Sequence, residues 1–342
     1  MNQYEIAHRS VGAIDQSHRG TLFVAGADRA SWLQGLLTND IQALVAGTGC
    51  YAAWLTPQGR MITDMRVLEL GDRMLLDVPA SHAAALAVRF EQLVFAEDVQ
   101  VQNATAFVNP LRVIGPAAPR TLVAGLDVLT GRASVTGSEL AAWVEYQNAV
   151  FSLAGGQLIL VRDDGLGVPG YDIYSSIGEE VRRALAQAGA PRLDDSLAEV
   201  LRIEAGRPVF GIDMNTETIP LEAGIESRAI SFSKGCYVGQ EIVVRVVSRG
   251  HGRVARKLVG LVLDGARVPR PGEPLFADGH ETGRVTSATW SPALNRPIAL
   301  GYVHRDFAEP DHRVIVGGES GDPATVAQLP FVTPDAEHPV AK

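Results

Sequence analysis

The residues best placed to do chemistry form one short run, Ser233-Lys234-Gly235-Cys236-Tyr237-Val238-Gly239-Gln240-Glu241. The thiolate is the reactive form of cysteine, and a neighbouring cation or a helix amino end favours it. Lys234 stands two residues before Cys236, and Gly235 and Gly239 bracket a tight loop. Beyond the loop, Ile242, Val243, Val246 and Val247 fall on one helical stripe, and Glu241, Arg245, Ser248 and Arg249 on another. Glu241 and Arg245 also form a correctly oriented i,i+4 pair. The spacing therefore predicts a helix whose amino end lies just past Cys236. Lys234 runs against the habit of the chain, in which lysine stands only at positions 234, 257 and 342 and arginine supplies the other basic residues. The alternative for Cys236 is a small buried apolar side chain. Cys50, between Gly49 and Tyr51 in a predicted strand, is read as inert.

A basic cluster follows. Arg245, Arg249, Arg253, Arg256 and Lys257 lie within thirteen residues that contain no acid, with His251 among them. Such a run is an anion site, an anchor at a domain junction or a solvated face. The eight histidines show no ligand spacing and the two cysteines no framework, so no metal site is expected. Gly165-Leu166-Gly167-Val168-Pro169-Gly170 has the glycine spacing of a dinucleotide-binding turn. The segment after it, Tyr171-Asp172-Ile173-Tyr174, reads as a strand, whereas pyrophosphate binding needs a helix amino end there.

The elements that position these residues can be outlined. Strands are predicted at 21–25, 50–55, 61–70, 74–78, 99–108, 150–153, 158–161 and 171–174. Helices are predicted over 28–37, capped by Asp28, from Ser81 to about Phe95, over 177–188, and over 197–205 behind a Ser196/Glu199 capping box. Hairpins with few crossovers indicate α+β rather than a doubly wound sheet. After about residue 255, short strands at 258–263, 283–288, 298–302 and 313–316 alternate with Pro and Gly clusters, the texture of a small antiparallel barrel or sandwich.

Composition bounds the partners. The chain has 342 residues, a formal net charge of −9 and 46% hydrophobic residues. The acidic balance argues against a nucleic-acid footprint. The uncharged stretch of residues 146–161 is too short and too polar for a membrane span. With no signal-peptide pattern and two unpaired cysteines, a reducing cytoplasmic setting is expected.

At the cysteine loop the sequence resembles a known family. Lys-Gly-Cys-Tyr-x-Gly-Gln-Glu is similar to the signature of YgfZ-type folate-binding proteins, relatives of the glycine-cleavage T-protein (aminomethyltransferase). Ser17-His18-Arg19-Gly20, Leu36-Leu37-Thr38-Asn39-Asp40, Arg202-Ile203-Glu204-Ala205-Gly206, Glu217 to Ala223 and Arg296 to Val303 extend the resemblance over roughly residues 5–330. It implies three lobes in a ring around a folate pocket: two interlocked mixed α/β lobes over residues 1–250 and an antiparallel β-barrel over 251–335. The Gly59-Arg60-Met61-Ile62-Thr63-Asp64 block keeps only the second of two family aspartates, and Gly170-Tyr171-Asp172 stands where T-proteins carry Gly-x-Glu. The resemblance thus implies Asp64, Asp172 and Arg202 as contacts for tetrahydrofolate or a derivative. It implies Cys236 and Lys234 as the reactive pair, with Gly235, Tyr237, Gly239, Gln240, Glu241 and Arg245 as support. A carboxylate suits the two adjacent donors of a pterin, and the Arg-rich segment suits the anionic folate tail. The local alternative is that Asp64 and Asp172 are satisfied within their own strands.

The expectation drawn from this is a folate-binding protein, not a conventional enzyme, that supports iron–sulfur cluster assembly or repair and, through cluster enzymes, tRNA modification. Its expected partners are a reduced folate and iron–sulfur assembly or client proteins. The alternative is an aminomethyltransferase passing a one-carbon unit to tetrahydrofolate. Thr63 in place of the first aspartate and the added Lys-Gly-Cys motif are weighed against that alternative.

Overall fold

A computed structural model describes residues 1–248, 253–318 and 320–333. Helix α1 (Gln3–Arg9) opens on a capping box between Asn2 and Glu5, and β1 (Gly12–Asp15) follows. The first lobe then runs β2 (Arg19–Ala25), α2 (Arg29–Leu36), β3 (Thr48–Leu55), β4 (Met61–Glu69), β5 (Arg73–Pro79), α3 (Ala80–Glu91) and β6 (Gln100–Asn103). Its five-stranded sheet has the order β3-β4-β5-β2-β6.

The second lobe contains β7 (Leu111–Ile114), α4 (Ala118–Thr130), α5 (Gly137–Ala141), β8 (Asn148–Leu153), β9 (Gly156–Arg162), β10 (Gly170–Ser175), α6 (Gly178–Gln187) and α7 (Asp195–Glu204). Its sheet has the order β1-β7-β10-β9-β8, so the strand made first completes the second lobe. Helices α8 (Glu226–Ala229) and α9 (Gln240–Ser248) precede the last lobe. That lobe is a closed antiparallel barrel of β11 (Arg256–Leu263), β12 (Pro274–Ala277), β13 (His280–Ser291), β14 (Arg296–His304), β15 (Arg313–Val316) and β16 (Asp322–Ala327), in the order β11-β14-β13-β12-β15-β16. The α+β class, the two sheet lobes and the barrel agree with the expectation from sequence.

Strand alternation explains how the first two lobes meet. In β4, Met65 and Val67 enter the first lobe's core with Trp32, Trp54 and Phe90. The alternate positions Asp64, Arg66 and Leu68 face the other way. In β10, Tyr171 and Ile173 enter the second lobe's core, which turns Asp172 and Tyr174 toward the first. The seam has an apolar half, where Leu68 and Leu75 meet Ile159, Val161 and Tyr174, and an ionic half described below. Each such aliphatic side chain, fully buried, contributes about 1.5–3 kcal/mol.

Local expectations differ from the structure in identifiable ways. The helix after Asp28 forms, but the Asp28 carboxylate accepts from the Asp98 N–H at 2.8 Å instead of capping it. Helix α7 begins one residue before Ser196, so the capping box does not form, and Glu199 is held by Arg202. The strand expected over 99–108 is confined to β6, because Asn103 Oδ1 accepts from the Thr105 N–H and turns the chain. Helices α1 and α4 were unanticipated, although Pro in the first turn and the left-handed cap at Gly131 (φ 78°) mark the ends of α4.

Candidate functional site

The ionic half of the seam joins three arginines to three aspartates. Arg19 donates to Asp77 from Nε at 3.1 Å and from Nη2 at 3.0 Å. Arg66 is the hub, pairing with Asp77 of its own lobe and with Asp163 and Asp172 of the other. Arg112 grips Asp172 with two parallel bonds of 2.6 and 2.7 Å and reaches Asp163 at 3.1 Å. Burial pushes the Asp77 carboxyl upward, but Arg19 and Arg66 outweigh it and hold the group below the usual carboxylate range. Burial likewise opposes ionisation of Asp163, and Arg112 and Arg66 win there by a wider margin.

This arrangement corrects the role expected for Asp172. The residue is 1% exposed, and both of its oxygens are committed to Arg112 and Arg66. It locks the lobes together and presents no free edge to a pterin. Sequence reasoning missed Arg66, Asp77, Arg112 and Asp163. The available signal was a charge at an alternate position of a strand otherwise apolar on both faces.

Asp64 lies on the seam face of β4, two residues before the hub. The Tyr51 hydroxyl donates to its Oδ2 at 2.7 Å. Its other oxygen, Oδ1, is buried and has no hydrogen-bond partner among the described residues. Burial raises the Asp64 carboxyl above its ordinary value, against the pull of Arg19 and the Tyr51 hydrogen bond. The guanidinium of Arg228 lies 5.1 Å from the centre of the Tyr51 ring. Close by, Tyr146 holds a left-handed φ of 64°, and backbone strain of this kind concentrates at functional sites. An ionisable carboxyl with one oxygen fixed and the other unbonded can serve as an acceptor or a proton holder.

Thr63, set against a transferase in the sequence, faces the opposite way. It pairs with Trp54 of the first lobe's core, is fully buried, and donates to the Asp64 carbonyl at 3.1 Å. An acid at position 63 would point away from Asp64 Oδ1, so its replacement leaves the site intact.

The cysteine loop is also rearranged relative to expectation. Lys234 is 8% exposed, and its Nζ donates to the carbonyls of Gln34, Leu37 and Asn39 at 2.6, 2.6 and 3.0 Å. It closes the carboxy end of α2, where orphan carbonyls and the helix dipole favour a cation. Burial draws this ammonium down to about 8, so it remains largely protonated at neutral pH. Its ammonium is thus committed to the fold rather than to Cys236. The thiol on which it acts is Cys50, which burial pushes up to about 12 against the lysine's opposing charge.

Cys236 and Gly235 are exposed. Tyr237 is buried with Tyr51, Met61 and Val243, and Lys234 Nζ lies 5.0 Å from its ring centre. Gly239 has φ 86°, and a Cβ there would stand 2.6 Å from the Thr56 carbonyl oxygen, so the position requires glycine. Gln240 opens α9 as predicted, and Glu241 meets Arg245 at 3.1 Å on an exposed face where such a pair contributes little. Arg249 and His251 lie outside the described residues. No hydrogen bond or ion pair among the described residues joins Cys236 to Asp64 or Asp172.

Arg202, expected at the folate, ties α7 to the barrel instead. It grips Glu199, donates to Asp213 Oδ2 at 2.8 Å and reaches Ser287 Oγ of β13 at 2.7 Å.

Two sheet lobes sharing a buried seam, closed by a six-stranded barrel, define a three-lobed protein with its candidate chemistry at the edge of the seam. The fold is shared with the glycine cleavage system aminomethyltransferase T from Bartonella henselae, at a TM-score of 0.84 and 23% identity over 96% of this chain and 88% of that one. Residues 2–234 match the GCVT N-terminal domain, and residues 256–333 match the glycine cleavage T-protein C-terminal barrel domain. The chain belongs to the glycine-cleavage T-protein family. It is 31% identical over 334 residues to an aminomethyltransferase of Rubrobacter xylanophilus, covering 96% of this chain and 85% of the relative. An aminomethyltransferase of Streptomyces avermitilis is 30% identical over 331 residues, with 94% and 86% covered.

These relatives overturn the iron–sulfur expectation. Similarity over nearly the whole chain leads to proteins named aminomethyltransferase, and iron–sulfur partners find no support. The structural arguments agree: the two features weighed against a transferase were Thr63, which faces away from the site, and the Lys-Gly-Cys motif, whose lysine serves the fold. Among the described residues, no helix is long and apolar enough to cross a membrane.

Proposed function

We propose that the protein is an aminomethyltransferase that passes a one-carbon unit from an aminomethyl carrier to tetrahydrofolate. Asp64 carries this reading, because its buried Oδ1 is unbonded while Tyr51 fixes Oδ2. When the carbon moves, its bond to the carrier sulfur breaks, the thiol returns to the carrier, ammonia departs, and folate nitrogens that bond the carbon lose protons. Asp64 Oδ1 accepts from a folate amine and orients it. The raised carboxyl can also hold one of the released protons, since general acid–base groups work best with a pKa drawn toward the operating pH. Burial between the lobes excludes the water that would otherwise hydrolyse the aminomethyl group.

Within the family we assign the chain to the YgfZ-type branch, on the resemblance of residues 234–241. The two free thiols suit a reducing compartment, and we assign the protein to the cytoplasm. The test is methylene-tetrahydrofolate formation from an aminomethyl-lipoyl carrier by wild type and Asp64→Asn. The variant should bind folinic acid and lose roughly 10²–10⁴-fold in turnover. An unchanged rate, or no activity in wild type, would refute the assignment.

A further inference from the structure

Alternation along β14 sends Ala299 and Val303 into the barrel core and leaves Ile298, Leu300 and Tyr302 on its outer face. Ile203 of α7 packs on Ile298 and Leu300. Tyr302, the next residue of this row, instead lines a cavity of about 400 Å³ between the barrel and the segment 212–218 that follows α7. The residue is 7% exposed, and its hydroxyl is buried with no hydrogen-bond partner among the described residues. The nearby Thr218 hydroxyl already donates to Asn215 Oδ1 at 3.3 Å. Burial raises the phenol far above its ordinary value, against the pull of Thr218 and Arg256, so it stays protonated. Buried polar groups in a native fold are almost always paired, so an orphan that faces a cavity points to a ligand.

Register supplies the surroundings. Tyr302 pairs with Arg284 of β13 on one side and with Leu258 of β11 on the other, and Arg256 stands two residues before Leu258 on the same face. The Arg256 guanidinium lies 4.7 Å from the centre of the Tyr302 ring. It reaches one oxygen of Glu222 at 3.2 Å through Nε and Nη2, which leaves Nη1 unbonded among the described residues. Arg284 donates to Glu281 Oε1 at 2.6 Å, and Glu281 Oε2 is left over. Asp213, the other acid of the lining, is saturated by Arg202, Thr286, Ser287 and the Val209 N–H. The cavity therefore offers guanidinium and phenol donors to a carboxylate, and one carboxylate oxygen to a cation. The charges of its lining already cancel, so a ligand with a net charge of either sign is disfavoured and a zwitterion is not. Ile212, largely exposed, and Pro271 add an apolar wall.

We infer that this cavity binds a free α-amino acid with an aliphatic side chain. Tyr302 and Arg256 hold the carboxylate, Glu281 holds the ammonium, and the side chain lies against Ile212. Asp64 does not line this cavity, so the inference stands apart from the transferase reading.

The experiment compares three probes by calorimetry: leucine, 4-methylpentanoate, which lacks the amine, and 3-methylbutylamine, which lacks the carboxylate. Wild type should bind leucine at least about tenfold more tightly than either fragment, because each fragment gives up charge-assisted hydrogen bonds. Tyr302→Phe should weaken leucine binding about ten- to hundredfold. It should melt no lower than wild type, since the lost hydroxyl has no partner within the fold. Glu281→Gln, on an exposed residue, should bring leucine down to the affinity of 4-methylpentanoate without weakening the latter. No saturable leucine binding at about 10 mM, a fragment that binds as tightly as leucine, or a leucine affinity unchanged in Tyr302→Phe or in Glu281→Gln overturns the inference. A lower Tm in Tyr302→Phe overturns it as well, because the hydroxyl would then serve the fold.

Discussion

Replacing Arg66 with methionine tests the seam directly. The side chain is 10% exposed and faces Asp77, Asp163 and Asp172, whose side chains are 0%, 6% and 2% exposed. Removing it leaves three carboxylates facing Arg19 and Arg112, one negative charge in excess. Breaking a buried pair in this way costs about 3–5 kcal/mol, because an uncompensated charge stays behind. At about 2.1 cal/mol/K of unfolding entropy per residue, a cooperative chain of this length would lose roughly 4–7 °C in Tm at pH 7. The pH dependence has a definite sign. Asp77 and Asp163 lie below their ordinary values in the folded protein, so the stability they contribute is complete above about pH 4 and is lost as pH falls through their folded values. Arg66→Met raises those values, so the deficit should be largest near neutrality and narrow toward pH 4. Calorimetric melts at pH 7, 5.5 and 4 would measure it. A loss below about 1 °C at pH 7, or a deficit that widens with acid, would refute the reasoning.

Three further outcomes follow from named contacts. Tyr51→Phe removes the hydrogen bond that lowers the Asp64 carboxyl, so the acidic limb of the pH–rate profile should move to higher pH; an unmoved limb would separate Asp64 from the chemistry. Lys234→Gln strips a cation from three carbonyls and should destabilise the fold by about 2–4 kcal/mol in denaturant titration, while the folded protein's rate of Cys236 alkylation at fixed pH stays where it was; a slower rate would restore the lysine–thiol pairing expected from sequence. Gly239→Ala forces a left-handed φ and a clash with the Thr56 carbonyl, and should cost at least about 1–3 kcal/mol, measured by the same titration; a neutral result would mean the loop can rearrange.

The sheets and the barrel were legible because strand alternation and turn residues are local signals. The run Met61–Glu69 reads as a strand from its residues alone, and the helix after Gly239 follows from one stripe of four apolar positions. The site was less legible, since its partners lie far apart in sequence. Arg66 is 97 residues from Asp163 and 106 from Asp172, and nothing local to Asp172 announces two arginines. Lys234 misled for a related reason. Adjacency to Cys236 suggested a chemical pair, yet its carbonyl acceptors lie about two hundred residues earlier in the chain. Thr63 misled because the resemblance was read position by position: one missing acid counted against transfer until its strand position showed which way it points.

The placement of β1 has a consequence for synthesis of the chain. Gly12–Asp15 pairs with Leu111–Ile114 of β7, and Ala13 also exchanges backbone hydrogen bonds with Pro191 and Leu193. At about 5–20 residues per second, this strand leaves the ribosome several seconds or more before its partners exist, while the sheet of the first lobe can close around it. The exposed segment must wait as an unpaired edge. A fragment ending near residue 105 would keep that edge permanently open, and one beginning near 106 would lack its outer strand. Neither half is a natural unit for expression, whereas the strands of the barrel pair only among themselves.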